Sequence, residues 1–222
     1  MCGRFTLTGD LNSLGERFAF RAANLSFKPH YNIAPSQPVL AIISNEGENR
    51  AGFLRWGLIP SWAKDEAIGN RMINARAETV AEKPSFRRAL QKRRCLVLAD
   101  GFYEWRREGK QKTPMYIALK SHEPFAFAGL WETWKPPTGE PIHSCTLITT
   151  TPNSLMTSIH DRMPVILPRK AEALWLDQTV EDPQEVLPLL TPYPARDMEA
   201  YAVSPLVNSP RNDTPACIEP AE

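Results

Sequence analysis

The sequence has no long hydrophobic run, and its four cysteines do not occur in pairs. A membrane-spanning helix needs roughly 18 consecutive apolar residues, and a secretory signal needs a basic stretch before an apolar one. Neither pattern is present, so we expect a soluble, unsecreted, cytoplasmic protein with no membrane partner. The spacing of Cys2, Cys95, Cys145 and Cys217 suits neither a zinc site nor a disulfide scaffold. Free thiols in a reducing compartment are predicted.

A strong charge of one sign is also lacking, because the formal net charge is only +1. The field of the whole protein therefore cannot drive nucleic-acid binding by itself. Basic residues do cluster at two places, which are Arg87, Arg88, Lys92, Arg93 and Arg94, and Arg106, Arg107, Lys110 and Lys112. Each cluster is consistent with a solvated surface. Together they are also consistent with a groove that binds phosphates, and both interpretations stay open.

Internal repeats, low-complexity tracts and a regular alternation of strands with helices are all missing. With 222 residues, 42% hydrophobic and 23% charged, the chain predicts one globular domain spanning residues 1–222. Strands dominate and follow one another, which disfavours a parallel Rossmann-type sheet. We expect an α+β fold with a strand-rich, mainly antiparallel, barrel-like core and a few flanking helices.

The hydrophobic pattern places the elements along the chain. Helices are expected after an Asp10 cap, at 78–90 with an interruption at Pro84, at 169–176 and at 183–190. A polar turn at 45–49 is expected to close the first hairpin, and the 21 prolines indicate rigid loops. The tail after Val207 is expected to be extended and mobile. Strands are expected at 4–8, 39–44, 53–56, 95–99, 102–105, 115–119, 125–133, 145–151 and 201–203.

The N-terminal sequence Met1-Cys2-Gly3-Arg4-Phe5 is the most informative part of the chain. Removal of Met1 would leave a cysteine whose amine and thiol share one Cα. An α-amine titrates near about 8 and a thiol near about 8.5, so both nucleophiles are usable close to neutral pH. Such an aminothiol can condense with an aldehyde and then close a ring through sulfur. The alternative is that Cys2 is inert.

Two further segments carry side chains suited to chemistry. Asn74 and Arg76 are two residues apart, so on an extended segment they could face one ligand, although Asn74 could equally cap the predicted helix. Glu104 lies among aromatic residues on a predicted strand, where burial would raise its pKa towards neutrality. Strand alternation also allows Glu104 to face solvent while Tyr103 and Trp105 pack in the core.

Among the four histidines, His160 alone has both a carboxylate and an arginine beside it, in His160-Asp161-Arg162. Its ordinary pKa near about 6.5 suits proton exchange, so we choose it as a catalytic residue. Trp62 is the tryptophan least typical of a core and could stack on an unpaired base. Trp131, Trp134 and Trp175 are expected in the core.

These motifs occur in an order that resembles the SOS-response-associated peptidase (SRAP) family, from residue 2 to the tail. The resemblance rests on Met1-Cys2-Gly3-Arg4-Phe5, Tyr31-Asn32-Ile33-Ala34-Pro35, Trp56-Gly57-Leu58-Ile59-Pro60, Asn74-Ala75-Arg76, Asp100-Gly101-Phe102-Tyr103-Glu104-Trp105 and His160-Asp161-Arg162-Met163-Pro164. Leu98 departs from it, since many relatives have proline there. As an expected core strand position, Leu98 leaves the chemistry intact.

The resemblance implies a sensor of abasic sites in single-stranded DNA that forms a covalent thiazolidine crosslink through Cys2 and shields the lesion from strand cleavage. It implies self-removal of Met1, a peptidase-type activity, together with a lyase activity. No metal or organic cofactor is called for, and a monomer is expected. The catalytic residues implied are Cys2, Asn74, Glu104 and His160. The DNA-binding residues implied are Arg4, Asn32, Trp62, Arg76, Trp105 and Arg162.

Two other classes of function stay open. One is an N-terminal-nucleophile amidohydrolase such as a glutaminase, because class II glutamine amidotransferases also begin with Met-Cys-Gly. The other is a binding module for single-stranded or modified DNA that forms no covalent bond. Release of glutamate from glutamine would favour the first, and DNA binding that does not depend on Cys2 would favour the second.

Overall fold

A computed structural model describes residues 2–21, 25–45 and 47–221. The α-helices are α1 (Leu11–Phe18), α2 (Pro84–Lys92), α3 (Arg169–Leu176) and α4 (Pro183–Val186). No helix in these ranges has the length and apolarity needed to cross a membrane. The strands are β1 (Phe5–Leu7), β2 (His30–Ile33), β3 (Pro38–Asn45), β4 (Glu48–Trp56), β5 (Asn74–Arg76), β6 (Arg94–Ala99), β7 (Gly101–Glu108), β8 (Gln111–Leu119), β9 (Phe125–Trp134), β10 (Ile142–Thr150), β11 (Met163–Pro164), β12 (Ile166–Leu167) and β13 (Met198–Ala202).

Five strands close into a barrel in the order β4-β3-β6-β9-β10, because β10 pairs with both β9 and β4. The pairing of β10 with β4 is parallel, and the other four pairings are antiparallel. A second antiparallel sheet has the order β13-β8-β7-β1-β2. The predicted α+β class with a mainly antiparallel, barrel-like core is therefore confirmed. Leu98 on β6 is fully buried, as expected.

Aromatic side chains join the barrel to the second sheet. The ring of Phe5 on β1 lies 5.1 Å from Trp56 on β4 and 5.6 Å from Phe127 on β9, measured between ring centroids. Phe102 on β7 also packs on Phe127. All four side chains are buried, and such aromatic contacts contribute beyond their buried area. The first strand is thus fixed between the two sheets.

The carboxylate of Asp100, at the turn from β6 to β7, fastens the first strand. It accepts hydrogen bonds from the hydroxyl of Thr6 and from both the backbone N–H and the hydroxyl of Thr8. These bonds hold the middle of β1 and the residue that follows it, so the fold sets the chain direction at Cys2, four residues before Thr6.

A capping side chain and a proline set the starts of the first two helices. Asp10 caps α1 by accepting from the N–H groups of Asn12 and Ser13, as predicted. The expected helix at 78–90 was wrong in its first part, because residues 77–82 form turns and α2 starts at Pro84. Proline fits the first helical position, where its missing N–H costs nothing, so the helix starts there.

The late elements are largely as expected. The helix predicted at 169–176 is α3, and the one predicted at 183–190 is α4 followed by a 3-10 turn at Leu187–Leu189. The strands expected at 39–44 and 53–56 extend further, into β3 and β4. Glu46, in the turn predicted at 45–49, lies outside the described residues.

The tail differs from the expectation of an extended, mobile segment. It forms 3-10 turns at Pro205–Asn208 and Pro215–Cys217, and Val207 and Cys217 are fully buried. Its carbonyls receive hydrogen bonds from the side chains of Arg4, just before β1, and of Asn32 on β2. Asp213 accepts from the N–H groups of Tyr31 and Asn32. The prediction failed because these partners lie far away in sequence. We call residues 204–217 the C-terminal strap.

A buried arginine joins two helices to the barrel. Arg94, at the start of β6, donates hydrogen bonds to the carbonyl oxygens of Leu90, Gln91, Trp175, Asp177 and Val180. These oxygens lie at or just beyond the C-terminal ends of α2 and α3, where a positive charge also interacts favourably with the helix dipole. All three of its nitrogens donate, so the buried charge is well satisfied.

Candidate functional site

The predicted nucleophile, Cys2, is fully buried just before β1. Its thiol lies 3.9 Å from the carbonyl oxygen of Arg4, to which it donates a weak hydrogen bond. Its own carbonyl accepts from Nδ2 of Asn74 at 2.8 Å. Met1 lies outside the described residues, so its removal stays a prediction.

Asn74 reaches Cys2 because β5 adds to the barrel as a short parallel partner of β10, with Asn74 opposite Leu147. The preceding residue is fixed too, since Nε1 of Trp56 donates to the carbonyl of Ile73 at 2.9 Å. Asn74 lies ten residues before α2 and therefore does not cap that helix. Its Oδ1 is buried and accepts no hydrogen bond from the described residues.

Glu104 on β7 is 3% exposed, so the solvent-facing alternative was wrong. The backbone N–H of the preceding Tyr103 donates to the carbonyl of Arg4 at 2.9 Å, which brings β7 alongside the N-terminal residues. Burial disfavours the charged carboxylate and raises the pKa of Glu104 to about 7. At neutral pH this side chain can therefore both hold and release a proton.

His160 approaches Glu104 from a loop that follows a 3-10 turn at Met156–Ser158. Its Nε2 lies 3.9 Å from Oε2 of Glu104. Its Nδ1 is 3.0 Å from the backbone N–H of Arg162 and 2.9 Å from Oδ1 of Asp161. These two contacts require opposite protonation of Nδ1. Burial lowers the pKa of His160, which favours the neutral ring with Nδ1 accepting from Arg162 and the proton on Nε2, facing Glu104.

The electrostatics of the thiol follow from the same burial. Desolvation raises the pKa of Cys2 far above its usual range, and the Glu104 carboxylate raises it further. The thiol is therefore protonated at neutral pH. It can act as a nucleophile only when a neighbouring group takes its proton, and Glu104 has the pKa suited to that task.

A pocket of about 460 Å³ opens beside these groups. It is lined by Glu104, Trp105, Arg107, Lys112, His160 and Asn208. Asn208 belongs to the C-terminal strap and accepts a hydrogen bond from Nε1 of Trp105 at 2.7 Å. Sequence reasoning missed Asn208, and no local pattern around it signals a site residue.

A larger cavity of about 1040 Å³ lies between α1, the β3–β4 hairpin and α3. It contains none of the predicted site residues. Its polar centre is a pair in which Arg17 donates two hydrogen bonds to the carboxylate of Glu172. Cavity size therefore does not single out the predicted site residues, whereas displaced pKa values, which are typical of functional sites, occur at Glu104 and His160.

Two of the six predicted DNA contacts, Asn32 and Arg4, have hydrogen-bond partners in the C-terminal strap. Asn32 is 1% exposed, and its Nδ2 donates to strap carbonyls that include those of Ser209 and Asn212. Arg4 donates from Nη1 to Oδ1 of Asn32 and to the carbonyl of Val207, both at 2.7 Å. Contact of Arg4 and Asn32 with DNA stays a prediction, and their observed partners tie the strap to the first two strands.

The other four predicted DNA contacts differ in their exposure and in the partners they already have. Arg76 and Trp62 are exposed, and Trp62 is 59% exposed. Trp105 is half-buried at the pocket, with the guanidinium of Arg4 5.7 Å from its ring centroid. Arg162 forms a two-pronged ion pair with Glu78, at 2.7 and 2.9 Å, and also donates to the carbonyl of Thr149.

The tryptophans predicted to be in the core are mostly there. Trp134 and Trp175 are buried, and Trp131 is half-buried. Trp56 is also buried, so it cannot serve as an exposed stacking platform. Within residues 2–21, 25–45 and 47–221, no group of three or more His, Cys, Asp and Glu side chains is arranged to hold a metal ion.

The fold and the site together define a class. This is a strand-rich α+β protein whose N-terminal cysteine is buried with an asparagine, a carboxyl and an imidazole drawn from different strands and loops. A family model described as SOS response associated peptidase (SRAP) matches residues 1–210. The chain belongs to the SRAP family, which confirms the resemblance seen in its motifs.

Individual relatives agree with this assignment. Abasic site processing protein YoqW of Bacillus subtilis (strain 168) is 55% identical over 222 residues, with 99% of each chain covered. Abasic site processing protein HMCES of Rattus norvegicus is 35% identical, covering 87% of this chain and 65% of its own. The crystal structure of a protein from Bacteroides thetaiotaomicron superimposes with a TM-score of 0.90 at 31% identity, covering 100% of both chains.

Proposed function

We propose that this protein binds abasic sites in single-stranded DNA and joins itself to them through Cys2 after Met1 is removed. The observation that carries the proposal is the convergence of Cys2, Asn74, Glu104 and His160 from distant parts of the chain. The names of the relatives, which are abasic site processing proteins, support the same substrate. The protein then acts as one domain in the cytoplasm, as a monomer on the DNA.

The chemistry begins at nitrogen, because the thiol is protonated and the freed amine is the better nucleophile. The amine of Cys2 attacks the C1′ aldehyde of the ring-opened sugar and forms a carbinolamine. His160 exchanges the proton that opens the sugar ring, and Glu104 supplies the proton with which the hydroxyl leaves as water. An imine between Cys2 and C1′ remains.

Sulfur then closes the ring. As the Cys2 sulfur adds to the imine carbon, the thiol proton passes to the Glu104 carboxylate, and the nitrogen keeps the proton that remained on it when water left. The product is a five-membered thiazolidine. One water is lost overall, and no oxidant or reductant is needed. Asn74 orients Cys2 through the hydrogen bond that its side chain donates to the Cys2 carbonyl. Because the imine is consumed, the β-elimination that would cut the strand is suppressed, and lyase activity is confined to any imine that fails to close.

The raised pKa of Cys2 also bears on the amidohydrolase alternative. Acyl transfer from glutamine needs a thiolate as the first nucleophile, and burial of this thiol disfavours the thiolate. Aldehyde capture by the amine has no such requirement at its first step. Peptidase-type self-removal of Met1 belongs to the same proposal, with Glu104 and His160 as the proton-transfer groups.

The test is intact-mass measurement before and after incubation with a single-stranded oligonucleotide that carries one abasic site. The wild-type protein should start without Met1 and gain the mass of the oligonucleotide minus one water. Cys2→Ala should gain no stable mass, and Cys2→Ser should also fail to give a product that survives high salt and denaturation. Cys95→Ser is the matched control, because Cys95 is another fully buried cysteine and does not line the pocket.

Three outcomes would contradict the proposal. Complete loss of the wild-type complex in high salt would show that binding is only electrostatic, since salt weakens phosphate contacts and leaves a covalent bond intact. An unchanged complex in Cys2→Ala would favour a binding module that does not use the cysteine. Release of glutamate from glutamine would favour the amidohydrolase.

A further inference from the structure

Two cationic side chains face each other at the mouth of the pocket. Arg107 on β7 and Lys112 on β8 are direct cross-strand partners in the antiparallel hairpin. Both line the pocket that contains Glu104 and His160, and both are exposed. Directly opposed residues in such a pair have Cβ atoms about 5 Å apart, so the two charged ends can reach the same ligand.

This arrangement is unfavourable for the hairpin alone, because like charges directly opposite each other destabilise a sheet. Arg106, the neighbour on the same strand, is neutralised by Glu108, with Nε 2.8 Å from the carboxylate. In the part of the chain that the structure describes, no carboxylate lies within ion-pair distance of Arg107 or Lys112. The charge of Arg107 reaches the pocket as well, since it adds to the effect of burial in lowering the pKa of His160.

We propose that Arg107 and Lys112 form a phosphate-binding site that holds one phosphodiester of the DNA strand next to the reacting sugar. The guanidinium offers a planar pair of donors to two phosphate oxygens, and the ammonium adds a point charge from the opposite strand. The bound anion removes the repulsion between the two cations. This proposal rests on the proposed function, since it assigns a part of the same DNA strand to the same pocket.

The site contacts the backbone and not the bases, so it contributes affinity without sequence preference. It also fixes the position of the sugar, because a phosphodiester held at the rim limits how far the adjacent C1′ can move from Cys2. The four residues of the second basic cluster therefore differ in role. Arg107 and Lys112 are the proposed phosphate contacts, whereas Arg106 is paired with Glu108 and Lys110 lies at the hairpin turn.

The experiment measures binding of the full chain to an undamaged single-stranded oligonucleotide by fluorescence anisotropy over a series of salt concentrations. The test variant is the double substitution Arg107→Gln with Lys112→Gln. The matched control is Lys120→Gln with Arg196→Gln, which removes the same two charge types from exposed positions outside the pocket. Melting temperatures establish that both proteins are folded.

Loss of one phosphate contact should reduce the slope of log K against log salt by about 0.7, which corresponds to about fivefold weaker binding at 0.1 M salt. The control should keep the wild-type slope. A wild-type slope in the test variant overturns the proposal, and so does an equal reduction in the control. Failure of the proposed chemistry is read separately, because it would appear as a wild-type protein that binds the undamaged strand but gains no covalent mass with abasic DNA.

Discussion

Arg94 and Glu104 are equally buried, each 3% exposed, and yet the two regions around them are opposite in character. Around Arg94, five carbonyl oxygens accept hydrogen bonds from one guanidinium, so the charge is stabilised where it lies. Around Glu104, burial raises the pKa of the carboxyl to about 7. The first region stabilises the fold, and the second keeps a proton exchangeable near neutral pH.

The comparison teaches that burial alone does not distinguish a structural polar residue from one proposed to be catalytic. Burial lowers the pKa of Arg94 too, and what differs is that five carbonyl acceptors hold its charge in place. Arg94 satisfies helix ends that would otherwise leave carbonyl groups without donors. Glu104 lies beside a thiol and an imidazole whose own pKa values are displaced by burial. Clusters of displaced pKa values are typical of functional sites.

The largest expected effect is on chemistry at Glu104. Glu104→Gln keeps the shape of the side chain but cannot transfer a proton, so the rate of adduct formation should fall by roughly 100- to 10,000-fold. The rate is measured by quenched time courses and intact mass at saturating abasic DNA. Glu108→Gln, an exposed change on the same strand, is the control and should react at the wild-type rate. A rate for Glu104→Gln within threefold of wild type would remove Glu104 from the mechanism.

At Arg94, we expect a loss of stability and not a loss of adduct formation. Arg94→Met removes the side-chain donor from five carbonyl groups, so the free energy of unfolding should fall by about 3 kcal/mol or more. Urea unfolding at pH 7 measures this change, and Arg88→Met, an exposed substitution on α2, should change it by less than about 0.5 kcal/mol. Folded Arg94→Met protein at low temperature should still form the adduct. Wild-type stability in this variant would show that the carbonyls find other donors.

A smaller effect is expected from pH. The pKa of Glu104 in the folded protein, about 7, lies above its ordinary value of 4.5, so the folded state holds the proton more tightly than the unfolded state. The contribution of this group to stability is therefore fully present below about pH 4.5 and is lost as pH rises towards 7. Relative to Glu104→Gln, the wild type should lose roughly 2 kcal/mol between pH 5 and 8.

Urea unfolding of both proteins across that range measures the difference between them. Because the remaining titrating groups are common to the two proteins, most of their effects cancel in the comparison. A difference that stays constant with pH would mean that Glu104 titrates at its ordinary pKa. In that case the contrast between Glu104 and Arg94 would disappear.

Much of the fold could be predicted from the sequence, because it depends on local patterns. The cap at Asp10, the long strands and α3 follow from side chains within a few residues of one another. The short strand β5 could not be predicted in this way. Its three residues are extended because they pair with β10, about 73 residues later in the chain. Local pattern alone therefore placed Asn74 next to a helix.

In the candidate site, too, some features follow from local sequence and others depend on distant contacts. Cys2 and His160 stand out by their chemistry and their neighbours in sequence. The direction of Glu104 could not be read from strand alternation, since Phe102, Tyr103 and Glu104 are all buried between packed layers. Asn208 and the internal partners of Asn32 depend on contacts between residues about 100 to 180 positions apart. No local pattern encodes such contacts.

The C-terminal strap has a consequence for synthesis of the protein. Val207 supplies a carbonyl to Arg4, and Asn208 supplies the acceptor that fixes Trp105 at the pocket. Cys2 is synthesised more than two hundred residues before Asn208, so this part of the pocket wall is in place only after the strap has emerged from the ribosome. Until then, a nascent chain carries the proposed nucleophile beside an incomplete pocket.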